Sequence, residues 1–365
     1  MLAAYAVITH IEVPLMLSRL LNNRNVLGML FMAPAVLLLV IFLTYPLGLG
    51  VWLGFTDTKI GGEGSFVGLD NYSYLLGDSL AQLSLFNTLV YTISASILKF
   101  VLGLWLAILL NKNLPFKSFF RAIVLLPWIV PTALSALAFW WMYDSQFSVI
   151  SWALMKMGLI DHYIDFLGDP WLARISTIIA NVWRGIPFVA ISLLAGLQTI
   201  SPSLYEAAAI DGAKPWQQFR YVTLPLLTPI IAVVMTFSVL FTFTDFQLIY
   251  VLTRGGPLNA THLMATLSFQ RAIPGGALGE GAALATYMIP FLPSCFRISA
   301  CNVAAGNKEV TNEQAQSRSA TANPGHGFFA VAATSLGHHL YSTGDLRVRF
   351  AVSVLLDGDY GLQAR

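Results

Sequence analysis

The run Ser201-Pro202-Ser203-Leu204-Tyr205-Glu206-Ala207-Ala208-Ala209-Ile210-Asp211-Gly212-Ala213-Lys214-Pro215-Trp216-Gln217-Gln218-Phe219-Arg220 separates two of the most apolar stretches of the chain, and its reading decides the fold. On one side, residues 175–200 carry a single charge, Arg184; on the other, residues 226–252 carry only Asp245. A helix crossing about 30 Å of hydrocarbon needs roughly 20 mostly apolar residues. Each flank meets that length, and the run between them is too polar to remain in the bilayer. Its punctuation predicts two short helices with a bend. Ser201 before Pro202 starts the first, with a Ser203–Glu206 capping box as an alternative start; Gly212 ends it in the left-handed conformation, and Pro215 opens the second. Ala207, Ala208 and Ala209 make a thin ridge able to enter a groove on another protein, with Glu206 and Asp211 at its margin. A surface helix of good local propensity is the plainer reading of the same residues.

Outward from this loop, the chain contains three more long intervals nearly free of charge: residues 26–55, residues 85–110 interrupted only by Lys99, and residues 122–143. A sixth interval, residues 281–296, is short and contains Pro290 and Pro293. Prolines recur in the others (Pro34, Pro46, Pro127, Pro131, Pro187, Pro229), a pattern tolerated where neighbouring helices satisfy the freed backbone groups. The composition agrees, with 10% charged residues where a soluble domain carries about a quarter, and a mean hydropathy of +0.70. The expected class is an all-α polytopic membrane protein. With the N-terminus cytoplasmic, the inner segments hold Arg19, Arg24, Lys112, Lys117, Arg121, Lys214 and Arg220, against Lys59, Lys156, Arg174, Arg254 and Arg271 outside, a modest positive-inside bias.

A formal net charge of +2 gives no field that would attract nucleic acid. The two cysteines, Cys295 and Cys301, cannot build a disulfide framework or a four-ligand zinc site, and the six histidines form no ligand constellation; the adjacent His338 and His339 read as exposed residues of a tail. No Ser, Cys or His spacing suggests a nucleophile, and no G-x-x-x-x-G-K-[ST] phosphate loop is present, so neither catalytic residues nor a cofactor are expected and any ATP hydrolysis belongs to a partner. Ionisable groups inside spans are costly and point to function by default. That singles out Lys99, Arg184 and Asp245, with Arg184 (near Asn181 and Trp183) and Asp245 (beside Phe246) the better candidates for a polar solute pathway. Trp140 and Phe243 read as packing or interface aromatics.

The run Glu206-Ala207-Ala208, Asp211-Gly212-Ala213, Phe219 and Leu224-Pro225-Leu226-Leu227 resembles the EAA loop of permease subunits in binding-protein-dependent ATP-binding-cassette importers, in particular the carbohydrate group that includes the maltose permeases. Phe120-Arg121, Leu126-Pro127-Trp128 and Pro131, then Trp183, Pro187-Phe188 and Ala195-Gly196-Leu197-Gln198, then Phe246, Leu248-Ile249-Tyr250 and Gly255-Gly256-Pro257 are similar to that group in the same order, as is Phe66-Val67-Gly68-Leu69-Asp70-Asn71-Tyr72 before them. The similarity covers residues 27–290. It implies a MetI-like permease domain of about six transmembrane helices over residues 26–296, with a cytoplasmic N-terminal segment at 1–25 and the EAA loop, also cytoplasmic, at 201–225. It further implies a bacterial inner-membrane location, a second permease subunit, two cytoplasmic ATPase subunits and an extracytoplasmic solute-binding protein. Glu206, Ala207, Ala208, Asp211 and Gly212 would dock the ATPase. The implied cargo is a sugar or oligosaccharide, with a polyol or a glycerol phosphate ester as the alternative.

Residues 297–365 depart from this pattern. They are rich in Ser, Ala, Asn, Gln and Gly, have no membrane-length apolar stretch, and read as a disordered tail or the product of a frameshift, which would make a truncated, non-functional permease the competing reading. Met16 is an alternative start. An intramembrane enzyme built on Asp245 would need a second carboxylate, and none occurs in the five clear intervals; a membrane scaffold or sensor is the remaining alternative.

Overall fold

The computed structural model describes residues 23–113, 115–291, 293 and 297. The readings of residues 1–22, of the tail and of Cys295, Cys301, His338 and His339 therefore lie outside the described residues. Among those described, the regular elements are all helical, with isolated antiparallel bridges at Thr56–Phe66 and Lys59–Ala277.

The first span is one 30-residue apolar rod: α1 (Arg24–Leu39), a π turn (Val40–Thr44) and α2 (Tyr45–Leu53). The Asn23 side chain caps it by accepting from Asn25 N–H at 3.0 Å. None of its side chains is buried, as expected of a helix whose neighbours are lipid or another subunit. The π turn has a cause in the sequence. Pro46 lacks an N–H and its ring would strike the carbonyl four residues back, so the ladder widens just before it. A second π turn, Phe219–Thr223, precedes Pro225 in the same way. Both turns end in Thr-X-Pro, and in both the threonine hydroxyl points at the carbonyl five residues back: Thr44 to Leu39 at 3.5 Å, Thr223 to Gln218 at 3.4 Å.

The remaining elements are α3 (Asp70–Gly77), α4 (Ser79–Asn111), α5 (Lys117–Ile129), α6 (Thr132–Met142), α7 (Val149–Lys156), α8 (Pro170–Leu197), α9 (Pro202–Ile210), α10 (Pro215–Gln218), α11 (Leu224–Phe243), α12 (Gln247–Leu252), α13 (Met264–Ala272) and α14 (Leu278–Met288). Two expected spans differ in detail. Residues 122–143 are not one helix; the chain turns through 89° between α5 and α6. Pro131 takes an extended ψ of 137° and opens α6, and a residue before proline is driven out of helical conformation, so Val130 ends the first arm. Residues 226–252 are broken at Thr244–Phe246, and Asp245 lies in that break rather than in a helix interior. For the sixth interval, α14 is the described part.

Among the described residues two compact units emerge, residues 23–98, 126–185 and 239–291 in one, and 99–113, 115–125 and 186–238 in the other. In the first, α3, α13 and α14 enclose Leu75, Met264, Leu267, Leu284 and Met288 together with Phe243, and a second cluster joins Phe139 and Tyr143 to Ala180, Leu248 and Leu252. Arg271 ties three segments, pairing with Asp78 and, at 2.7 Å, with Glu280. Partial burial by itself disfavours the Arg271 charge, but hydrogen bonds to Glu280 and Tyr74 and the Asp78 carboxylate outweigh it and hold its pKa above the ordinary value.

In the second unit, Ala107, Leu110, Val189, Leu193, Leu197, Leu227 and Val234 form the core. Helix approach there depends on two glycines. A Cβ on Gly103 would lie 2.7 Å from Val189 Cγ1, and one on Gly196 2.6 Å from Ile230 Cδ1. In lipid, where apolar burial gives no drive for helices to associate, such close backbone contact supplies much of the attraction. Gly103→Val is therefore expected to destabilise the protein by about 2 kcal/mol, since β-branched Val189 has little freedom to move aside. A thermal melt in detergent that matches the unsubstituted protein would contradict this packing.

Candidate functional site

Two places carry chemistry, one in each unit, and they are described separately. The first is the loop between α8 and α11. Pro202 occupies the first helical position of α9, where its missing N–H would have had no partner. Ser201 is the N-cap. Ser203 therefore falls inside the first turn, its hydroxyl 2.8 Å from that of Ser201, and the alternative Ser203–Glu206 box does not form. At the other end Gly212 has φ +79°, with Gly212 N–H donating to Ala209 O (3.0 Å) and Ala213 N–H to Ala208 O (2.9 Å). That pair of bonds is a Schellman closure, which satisfies the orphan carbonyls of the last turn. Pro215 opens α10, and the Gln217 side chain accepts from Lys214 N–H at 2.7 Å.

The result is a stiff hairpin with its polar and small residues outward. Glu206, Ala207, Asp211 and Gly212 are exposed and Ala208 is partly so. Beside them lie two large apolar side chains in the open, Ile210 at 87% and Trp216 at 68% exposure. They give the hairpin an apolar surface beside its polar residues.

The second place is the break at Asp245. Its Oδ2 accepts from the Tyr91 hydroxyl at 2.8 Å and from Asn181 Nδ2 at 2.9 Å, and its Oδ1 accepts from Leu248 N–H at 3.3 Å, capping α12. Tyr91 and Asn181 are buried. Phe246 and Tyr250 stack 5.0 Å apart directly after it, with the Phe269 ring edge-on to both. Arg184 lies one turn along α8 from Asn181. Its guanidinium is 5.6 Å from the Trp128 ring centroid, and its Nε is buried without a hydrogen-bond partner. Thr92, Ser96 and Ser135 hydroxyls are buried and unpartnered in the same unit. Lys99 is buried and engaged in the other unit. Phe243 is buried and Trp140 is 46% exposed. Sequence reading picked Arg184 and Asp245 and missed Tyr91. The available signal was a tyrosine inside an apolar span whose hydroxyl needs a partner.

A family model described as "Binding-protein-dependent transport system inner membrane component" matches residues 99–299. The chain belongs to this family. The permease is 35% identical over 274 residues to the trehalose/maltose transport system permease protein MalF of Thermococcus litoralis, covering 74% of this chain and 92% of that one. It is 32% identical over 282 residues to the sulfoquinovosyl glycerol transport system permease protein SmoG of Agrobacterium fabrum, with coverage of 77% and 89%. Among solved structures, a bacterial ABC transporter involved in the import of the acidic polysaccharide alginate shares the fold, with a TM-score of 0.64 at 22% identity, over 79% of this chain and 96% of that one. The permease is thus an inner-membrane subunit of an ATP-binding-cassette importer.

Proposed function

We propose that this permease forms the membrane passage for a sugar or oligosaccharide and is driven by ATP hydrolysed in separate subunits that dock on the 201–225 loop. The observation that carries this reading is the capped, outward-facing hairpin with Ile210 and Trp216 exposed beside Glu206, Ala207, Ala208, Asp211 and Gly212. These five residues are the proposed ATPase-docking residues. The loop and the N-terminus lie on the cytoplasmic side, a reading supported by the excess of Lys and Arg in the inner segments. The full assembly would comprise a second permease subunit, two ATPase subunits and an extracytoplasmic solute-binding protein. Arg184 and Asp245 belong to the solute pathway; the unpartnered Arg184 Nε and the nearby aromatic rings suit a polyhydroxylated cargo.

A polyol or a glycerol phosphate ester is the second reading, because the matched motifs report the coupling architecture more than the solute pocket. The test is co-purification with the ATPase and binding-protein subunits, then uptake of labelled maltose, trehalose, glycerol and glycerol 3-phosphate into proteoliposomes. Loaded binding protein is expected to stimulate ATP hydrolysis, with trehalose or maltose accumulating. Hydrolysis that ignores the binding protein would reject the importer reading, and uptake of glycerol 3-phosphate alone would reject the sugar.

A further inference from the structure

The docking hairpin is tied to the membrane span that follows it. Tyr205, the residue before Glu206, places its hydroxyl 3.0 Å from Thr223 Oγ1, eighteen residues away at the end of the second π turn. Thr223 is 6% exposed, so water does not compete for its hydroxyl. The chain of donors has a consistent direction: Tyr205 O–H to Thr223 Oγ1, then Thr223 O–H to Gln218 O at 3.4 Å, while Gln218 Nε2 donates to Ala213 O at 3.1 Å. Hairpin tip, α10 and π turn are thereby closed into one hydrogen-bonded body.

The first π turn is a natural comparison. It has the same Thr-X-Pro ending and the same hydroxyl-to-carbonyl contact, yet among the described residues Thr44 receives no bond from another segment. Proline explains the widened turn in both places; it does not explain the tyrosine. A π turn holds one residue more than the α ladder accommodates, so it is a place where a helix can absorb or release a small axial shift.

We propose that the Tyr205–Thr223 hydrogen bond is the strut that passes movement of α9 into the π turn at the head of α11. This rests on the docking reading above. Tyr205 and Thr223 are positioning residues, acting through the π turn.

The test uses the complete complex in proteoliposomes, measuring labelled trehalose taken up per ATP hydrolysed alongside the ATPase retained on purification. Tyr205→Phe and Thr223→Val should each retain ATPase binding and lower the uptake-to-hydrolysis ratio about fivefold, the factor that one hydrogen bond of ordinary net strength supplies. The double variant should be no worse than Thr223→Val alone, because that substitution already removes the bond Tyr205→Phe deletes, together with the longer one to Gln218 O. Thr223→Ser, which keeps the hydroxyl, should restore the ratio. An unchanged ratio in both single variants, multiplicative losses in the double, or loss of the ATPase from the Tyr205→Phe complex would each overturn the strut. Ala207→Trp runs in parallel: if it leaves coupling intact the docking reading falls, whereas a coupling defect there with a normal Tyr205→Phe ratio sinks the strut alone.

Discussion

Asp245→Ala is expected to cost about 3 kcal/mol of stability and to remove assembled permease from the membrane, because it strands three donors at once. Tyr91 O–H, Asn181 Nδ2–H and Leu248 N–H all point at the carboxyl oxygens, and two of those donors belong to buried side chains on α4 and α8. Tyr91, Asn181 and Leu248 are buried, so each donor left without its acceptor carries a desolvation penalty. Asp245→Asn keeps one acceptor oxygen and should fall between the two. Arg184→Ala is the contrast. The Arg184 Nε has no hydrogen-bond partner to lose, and the structural contributions at risk are the contact with Trp128 and the attraction between its charge and Asp245. That variant should lose less stability than Asp245→Ala, since no donor is stranded, and lower uptake about tenfold, the effect of losing one charge-assisted hydrogen bond to a cargo hydroxyl. Melting in detergent and uptake in proteoliposomes separate the two outcomes. An Asp245→Ala protein that melts like the original would show that the network holds nothing together, and full uptake by Arg184→Ala would take Arg184 off the pathway.

The contrast also marks how far the sequence could be read. Long intervals between charges reveal the spans because a bilayer forbids exposed backbone and penalises charge, a constraint that acts residue by residue along the chain. The hairpin was legible for a related reason: Pro202 at a helix start and Gly212 at φ +79° are local requirements satisfied by local residues. Asp245 was visible as a lone charge, but its partners come from 154 and 64 residues away, and no periodicity sets the rotation of α4 and α8 that brings Tyr91 and Asn181 to it. Pro127 and Pro131 announced a disturbance without its size. Whether proline kinks a helix or ends it depends on what satisfies the freed carbonyls, and at Val130–Pro131 the chain breaks outright. The Tyr205–Thr223 bond was hidden for the same reason as the Asp245 network, since it depends on the phase of one helix against another.

Ala207→Trp is expected to leave the permease folded and inserted while uptake falls about tenfold or more, the scale of an overpacked contact. Ala207 is exposed, and a surface substitution of that kind usually changes stability by no more than about 0.5 kcal/mol. The ridge of Ala207, Ala208 and Ala209 is thin only to a partner, and any loss of coupling must come from what lies against it. Gly212 supplies an internal check on this logic. No atom lies within 4 Å of a Cβ built there, so Gly212→Ala collides with nothing, yet φ +79° makes a Cβ cost about 1 kcal/mol in the backbone. Gly212→Asn, the residue that best tolerates the left-handed conformation after glycine, should couple nearly normally, with Gly212→Ala weaker and Ala207→Trp weakest. Uptake, ATP hydrolysis and the amount of permease in the membrane fraction are the measurements. Equal coupling in all three would mean that the hairpin is a capped surface helix and nothing more. A graded loss at constant membrane content would require that its shape is read by the subunit that hydrolyses ATP.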